Sequence, residues 1–291
     1  MTEPTDAPDI PEAADGSDAP DGLDAPSALD ALGVPDAPDA PDTSGVPDAA
    51  GAPDASATRQ GEEALEIERK YEAGVGLALP DPARFREAGL DPESPVTHRL
   101  SARYFDTPQG DLARRGLALR ERHGGKDAGW HLKQRGEHGV RELLWPPSEG
   151  MPDGLRDEVR RRIGDAVDEV APIARLDTER TVVMLRDASG REAVELADDR
   201  VRASDGAAGV ERAWREWEAE LMPGVEAEAL DRVEAVLLAA GAEPSLSFAK
   251  IARATGNLIA VARAKGADAS VIEALERLDR SDREAARRLD A

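Results

Sequence analysis

Glu66, Glu68 and Lys70 alternate in Leu65-Glu-Ile-Glu-Arg-Lys-Tyr71. A strand puts all three on one face, with Leu65, Ile67 and Tyr71 on or near the other. Two carboxylates and an ammonium do not belong in an apolar core, so they face water or line a polar interior. The pattern recurs. Arg120 and Arg122 alternate in Leu119-Arg-Glu-Arg122, and His131, Lys133 and Arg135 alternate in the next candidate strand. Arg141, Arg175 and Arg180 follow. Near the end Glu216, Glu218 and Glu220 alternate, with the apolar Trp217, Ala219 and Leu221 between and after them.

Charges gathered in a low dielectric are expensive unless they are paired or bind something. A phosphate chain with metal ions would answer that need. Arg and Lys neutralise phosphate oxygens, and Arg does so bidentately. Carboxylates meet phosphate only through a hard cation, so the Glu-x-Glu pairs read as Mg2+ or Mn2+ ligands. The cation offsets phosphate charge and activates or orients a water. For every one of these residues the bland alternative is a solvated strand charge or a surface ion pair worth little.

The elements that must carry these faces are strands separated by Gly- and Asp-rich turns. Candidates are Leu65–Tyr71, His98–Phe105, Ala118–His123, Gly129–Arg135, Val140–Leu144, Thr178–Arg186, Glu192–Ala197 and Ala213–Leu221. Asp81–Gly89 opens like a short helix and stops at Gly. Helical patterns also cover Gly154–Val167, Glu226–Gly241 and Ser247–Lys265, with short ones to follow toward Ala291. The expected class is α+β, built on an antiparallel barrel that is charged inside and covered outside by helices. Trp130, Trp145, Trp214 and Trp217 then pack barrel to helices.

Taken in order, the motifs resemble the CYTH family, named for a bacterial adenylate cyclase class and thiamine triphosphatase. Glu66-Ile-Glu-Arg-Lys70 resembles its opening Glu-x-Glu-x-Lys signature, weak by itself. Arg103-Tyr-Phe-Asp-Thr107, Leu112…Gly116-Leu-Ala-Leu-Arg-Glu-Arg122, Trp130-His-Leu-Lys133, Val140-Arg-Glu142, Glu195 with Asp198 or Asp199, Trp214–Leu221 and Phe248-Ala-Lys250 follow in family order. The resemblance covers about 190 residues. Ala249 departs from it, standing where the family often has Ser.

The resemblance implies a closed antiparallel β-barrel of about eight strands, a triphosphate tunnel. Glu66, Glu68, Glu216, Glu218 and Glu220 would hold Mg2+ or Mn2+. Lys70, Arg120, Arg122, Lys133, Arg141, Arg175, Arg180 and Lys250 would bind phosphate, with the strand phase of Arg175 relative to Arg180 left open. Glu195 would be a further metal ligand or would position the attacking water. Asp198 and Asp199 differ by one residue, which in a strand is the choice of face. Tyr104, Phe105 and Asp106 read as structural, with Asp106 capping a turn, and His131 as incidental. His98, His123 and His138 show no metal-ligand spacing.

The 291-residue chain carries a formal net charge of −23 and no Cys, which excludes disulfides and thiolate chemistry. Residues 1–60 hold 14 Asp and Glu against Arg59, and 10 of the 21 prolines. They lack the large apolar residues that would offset ordering entropy, and their like charges repel. They are expected to be a disordered acidic tail, either solubilising or a lure for a basic partner. Residues 61–255 form the expected CYTH domain. Residues 256–291 form a short helical extension, too short for the His-rich helical domain that often follows in bacteria. It reads as a cap, a remnant or a dimer element, which leaves a homodimer open. Neither a secretory signal nor a spanning apolar stretch is present in the sequence, so a cytoplasmic protein is expected. An acidic chain is a poor general nucleic-acid binder. No phosphate loop, dinucleotide fingerprint or His-Glu-x-x-His occurs.

The functional expectation is metal-dependent hydrolysis of a triphosphate-containing small molecule, most simply inorganic triphosphate. Thiamine triphosphate hydrolysis and adenylate cyclisation remain open on the same scaffold. A non-catalytic polyphosphate- or nucleotide-binding module is the alternative from another class. A scaffold recruited through the acidic tail is a third.

Overall fold

Charged-apolar alternation builds a single antiparallel sheet in the computed structural model, which describes residues 61–136 and 139–289. The acidic tract 1–60 lies outside the described residues. The strands are β1 (Glu62–Glu66), β2 (Glu68–Glu72), β3 (Asp91–Pro92), β4 (Val96–Asp106), β5 (Leu117–His123), β6 (Gly129–Gly136), β7 (Gly139–Trp145), β8 (Ala171–Arg186), β9 (Glu192–Asp205), β10 (Val210–Leu221) and β11 (Glu243–Pro244). The helices are α1 (Pro82–Glu87), α2 (Asp153–Ile163), α3 (Glu228–Ala239), α4 (Lys250–Ala254), α5 (Asn257–Ala264) and α6 (Ala269–Leu289). The α+β class expected from the pattern is the one observed.

Hydrogen-bonded neighbours run in the order β1-β7-β6-β5-β4-β8-β9-β10-β2-β11, with β3 beside β8. The sheet thus has 11 strands along an open path, where about eight in a closed ring were expected. Part of the difference is one divided strand. The expected strand Leu65–Tyr71 breaks at Ile67: β1 pairs with β7, and β2 pairs with β10. A single residue therefore links strands that lie far apart along the path, and its carbonyl accepts from Leu221 N–H at 2.8 Å. β3 and β11 add bridges of two residues each.

Two apolar layers cover one side of the sheet. Tyr71, Leu185, Val194, Leu196, Trp217 and Ala219 pack against Leu230, Val233 and Leu237 of α3. Leu117, Leu119, Trp130, Leu132 and Trp145 pack against Leu155, Val159 and Ile163 of α2. The opposite face is charged along most of its length. It becomes apolar at one end, where Ala102, Tyr104, Leu176, Val201 and Trp214 meet Ala254 of α4.

Several elements outrun their sequence signals. β8 starts at Ala171 rather than near Thr178, and β9 continues to Asp205 rather than ending near Ala197. The added part of β9 opens with Asp198-Asp-Arg200, three consecutive charges that no strand alternation announces. In the sheet Asp198 pairs with Arg215 and Asp199 with Arg180, so both carboxylates are satisfied without breaking the strand. α6 is one helix of 21 residues where short helices were expected. Among the described residues no helix is long and apolar enough to cross a membrane.

Candidate active site

The antiparallel register of β9 and β10 places Asp199 directly opposite Glu216, with Glu218 two residues along on the same face. Carboxylate oxygens of these three residues lie within 4.8 Å of one another. Asp199 and Glu216 are fully buried and Glu218 is 6% exposed. Three cations converge on them. Lys250 Nζ lies 2.6 Å from Glu216 Oε1, 2.5 Å from Glu218 Oε1 and 3.0 Å from Asp199 Oδ2. Arg180 donates two hydrogen bonds to Asp199, at 2.7 and 2.6 Å, and a third to Glu218 at 2.6 Å. Lys70 contacts Glu218 and lies 2.8 Å from Glu68 Oε1.

Burial opposes ionisation of Glu218, but Lys250, Lys70 and Arg180 outweigh it and hold its carboxyl well below the usual range. Burial likewise opposes the charge on Asp199, and Arg180 and Lys250 overcome it. The same carboxylates hold Lys250 well above its ordinary value against the effect of burial. Asp199 and Glu218 are therefore ionised at neutral pH. Glu216 differs from its neighbours: it makes ion-pair contacts, yet neither carboxylate oxygen accepts a hydrogen bond. The Lys250 ammonium compensates Oε1, but the buried Oε2 has no partner within hydrogen-bond distance, which is costly in a dry interior. Three buried carboxylates offering oxygen donors at one point match the chemistry of a hard divalent cation. The residues present fit a metal.

Across the same face lies a basic strip. Register pairs Arg120 with His131 and Lys133 with Glu142. Lys133 Nζ lies 2.5 Å from Glu66 Oε2 and 3.4 Å from Glu142 Oε1. His131 Nδ1 is 2.7 Å from the same Glu142 oxygen. Arg120 and Arg122 keep buried Nε atoms without hydrogen-bond partners. Burial, with Arg120 and Arg180 beside it, pulls Arg122 down to about 9. Burial, together with Glu142, pushes the Glu66 carboxyl up to about 7 against the pull of Lys133. Gly139 lets β7 approach here: at φ +145°, a Cβ would lie 2.5 Å from Glu66 O.

The structure brings together Glu66, Glu68, Lys70, Arg120, Arg122, Lys133, Arg180, Glu195, Glu216, Glu218, Glu220 and Lys250 on this face. Glu195 is 6% exposed, lies opposite Glu220 and contacts Lys126. Burial raises Glu220. Arg141 and Arg175 are not gathered with them. Arg141 pairs with Glu63 at 2.7 Å on the opposite face, because its neighbour Glu142 takes the inward position. Arg175 pairs with Asp177 at 3.0 Å and is 61% exposed, because it lies an odd number of positions, five, from Arg180 on one strand.

Glu142, named in the sequence only as part of the Val140-Arg-Glu142 motif, and Lys126 carry no site role there, and Asp199 is only half distinguished from Asp198. The hairpin could have found Glu142: Gly136 pairs with Gly139, which forces Lys133 opposite Glu142 and turns Arg141 away. Asp106 caps a turn as expected, accepting from the N–H groups of Thr107, Leu112 and Ala113.

The CYTH domain family matches residues 64–254. Two Mycobacterium tuberculosis proteins, MT2285 and Rv2226, both uncharacterized, are 37% identical to the chain over 211 residues, covering 66% of this chain and 40% of each relative. The chain thus spans well under half the length of the curated relatives it matches. A Bacillus halodurans structure provisionally named an adenylate cyclase is 20% identical, at a TM-score of 0.45, over 66% of this chain and 97% of its own. HpAC1 from Hippeastrum, described as having a dominant triphosphatase activity, is 22% identical, at a TM-score of 0.41, over 71% and 99%.

Proposed function

The chain belongs to the CYTH family, and on that premise we propose that it is a metal-dependent hydrolase of a triphosphate, most simply inorganic triphosphate to diphosphate and phosphate. The observation that carries the reading is the fully buried Glu216, its Oε2 unbonded, in a carboxylate trio on the same face as a strip of half-buried cations. In this reading the Ile67 link draws the sheet into the triphosphate-tunnel barrel, with residues 61–255 as the catalytic domain.

Asp199, Glu216 and Glu218, with Glu66, Glu68 and Glu220 along the same face, would hold Mg2+ or Mn2+. When bound, the cation would offset phosphate charge that the basic residues alone leave uncompensated. Arg120 and Arg122, whose Nε atoms lack partners, bind phosphate oxygens together with Lys133, Arg180, Lys70 and Lys250. Those groups stabilise charge that develops on the transferring phosphoryl group and on the leaving diphosphate. Glu195 orients the attacking water and accepts its proton while the bond to the diphosphate oxygen breaks.

Phosphate release from inorganic triphosphate, thiamine triphosphate and ATP, each with Mg2+ or Mn2+, tests the proposal beside Glu68→Ala. Metal-dependent release that vanishes in the variant supports it, and the ranking names the substrate. No release, with tight triphosphate binding by calorimetry, would leave a binding module instead.

A further inference from the structure

Helix α6 lies beyond the span matched by the family, yet it sends a buried carboxylate toward the site. Asp282 is 3% exposed and takes two hydrogen bonds from Arg253, from Nε at 2.8 Å and from the second terminal nitrogen at 3.0 Å. The two terminal nitrogens of Arg253 also donate to the carboxylate of Glu72, at 2.8 and 3.0 Å. Its guanidinium carbon sits 4.8 Å from the centre of the Trp214 ring. The edge left over faces Glu216: one terminal nitrogen is 3.7 Å from Oε2, too far for a hydrogen bond.

The arrangement is a tug between carboxylates over one buried cation. Glu72 and Glu216 pull Arg253 toward the charged face, and Asp282 pulls it back. Without the charge of Asp282, Arg253 would settle onto Glu216 and occupy an oxygen that is now unbonded. We propose that Asp282 is a positioning residue, which holds Arg253 away from Glu216 and so keeps that carboxylate available to a divalent cation. Of the three roles open to the C-terminal extension, this makes it a cap with a share in the site. Asp279, one turn earlier on α6, supplies a control. It pairs with Arg212 at 2.7 Å, helps dock the same helix and touches none of the trio.

The inference rests on the metal reading of the trio, and titration of the full chain with Mn2+ alone, followed by the electron paramagnetic resonance of free Mn2+, separates the two. Wild type should bind, D282N should bind about tenfold more weakly, and D279N should stay within twofold of wild type. The double variant D282N/R253Q should return to within about threefold of wild type, because no cation remains to collapse onto Glu216. A helix that merely stabilises the fold would not produce that recovery. Wild type that leaves Mn2+ free overturns the metal reading and this inference with it. D282N with wild-type affinity, or a double variant as weak as D282N, overturns this inference alone. Should D282N prove unfolded by circular dichroism, R253Q decides: binding as tight as wild type or tighter supports the inference, and weaker binding overturns it.

Discussion

Lys250 Nζ sits 2.6 Å from Glu216 Oε1, close enough to neutralise a carboxylate that no hydrogen bond satisfies. The lysine is the first residue of α4, so the short helix delivers one ammonium to all three buried carboxylates. A divalent cation on the same oxygens would sit beside this ammonium, and like charges that close repel strongly in a low dielectric. The Lys250→Met variant should therefore bind Mn2+ about tenfold more tightly, ~1.4 kcal/mol, while its affinity for inorganic triphosphate falls. Calorimetric titration of each ligand separately checks both directions. Weaker Mn2+ binding would mean that Lys250 supports the metal site.

Arg175 and Arg180 share β8 but face opposite ways. Arg180→Ala removes a half-buried fork that spans Asp199 and Glu218, and should lower phosphate release by about 10²-fold or more. Arg175→Ala removes an exposed pair with Asp177 and should leave release within about twofold, since such pairs carry little energy. Steady-state rates of the two variants, measured side by side, settle the assignment. Equal losses would contradict it.

That contrast also marks how far the sequence could be read. Alternation alone located the charged strands, because residues such as Glu216, Trp217 and Glu218 must fall on opposite faces whatever the fold. It could not fix phase where a strand start was hidden. β8 begins at Ala171 behind a Pro and an Ile, so the odd spacing of Arg175 and Arg180 within one strand was not visible. Asp198 and Asp199 looked equivalent until register put one opposite Trp217 and the other opposite Glu216. The division at Ile67 leaves no trace in the alternation, since β1 and β2 keep one pattern across it. The Arg253–Asp282 pair joins residues far apart in sequence on two helices, and no local spacing announces it.

Asp187 caps the turn between β8 and β9. Its carboxylate accepts from Ser189 N–H, the Ser189 hydroxyl and Arg191 N–H, which together lower it to about 2. A carboxyl depressed in the folded chain stabilises it above the ordinary value near 3.8 and loses that contribution as pH falls through about 2. Wild type should exceed Asp187→Asn in urea midpoint at pH 5, and the gap should close toward pH 2. A gap independent of pH would contradict the cap.

Trp217 is fully buried between β10 and α3, on the face opposite the site. Trp217→Ala should cost about 3–5 kcal/mol of unfolding free energy, the range for deleting a large core aromatic. Denaturant unfolding followed by far-ultraviolet circular dichroism measures it. A loss under ~1 kcal/mol would mean that the outer layer is not the core that holds these strands in register.

The central claim is that the buried carboxylates act on a triphosphate through a divalent cation. The dependence of phosphate release on Mn2+ concentration, with inorganic triphosphate and wild type beside Glu216→Gln, tests it most directly. Wild type should show saturable, metal-dependent release, and the variant a loss of about 10²-fold or more together with a higher metal requirement. Release that is indifferent to Mn2+, or unchanged by Glu216→Gln, would contradict it.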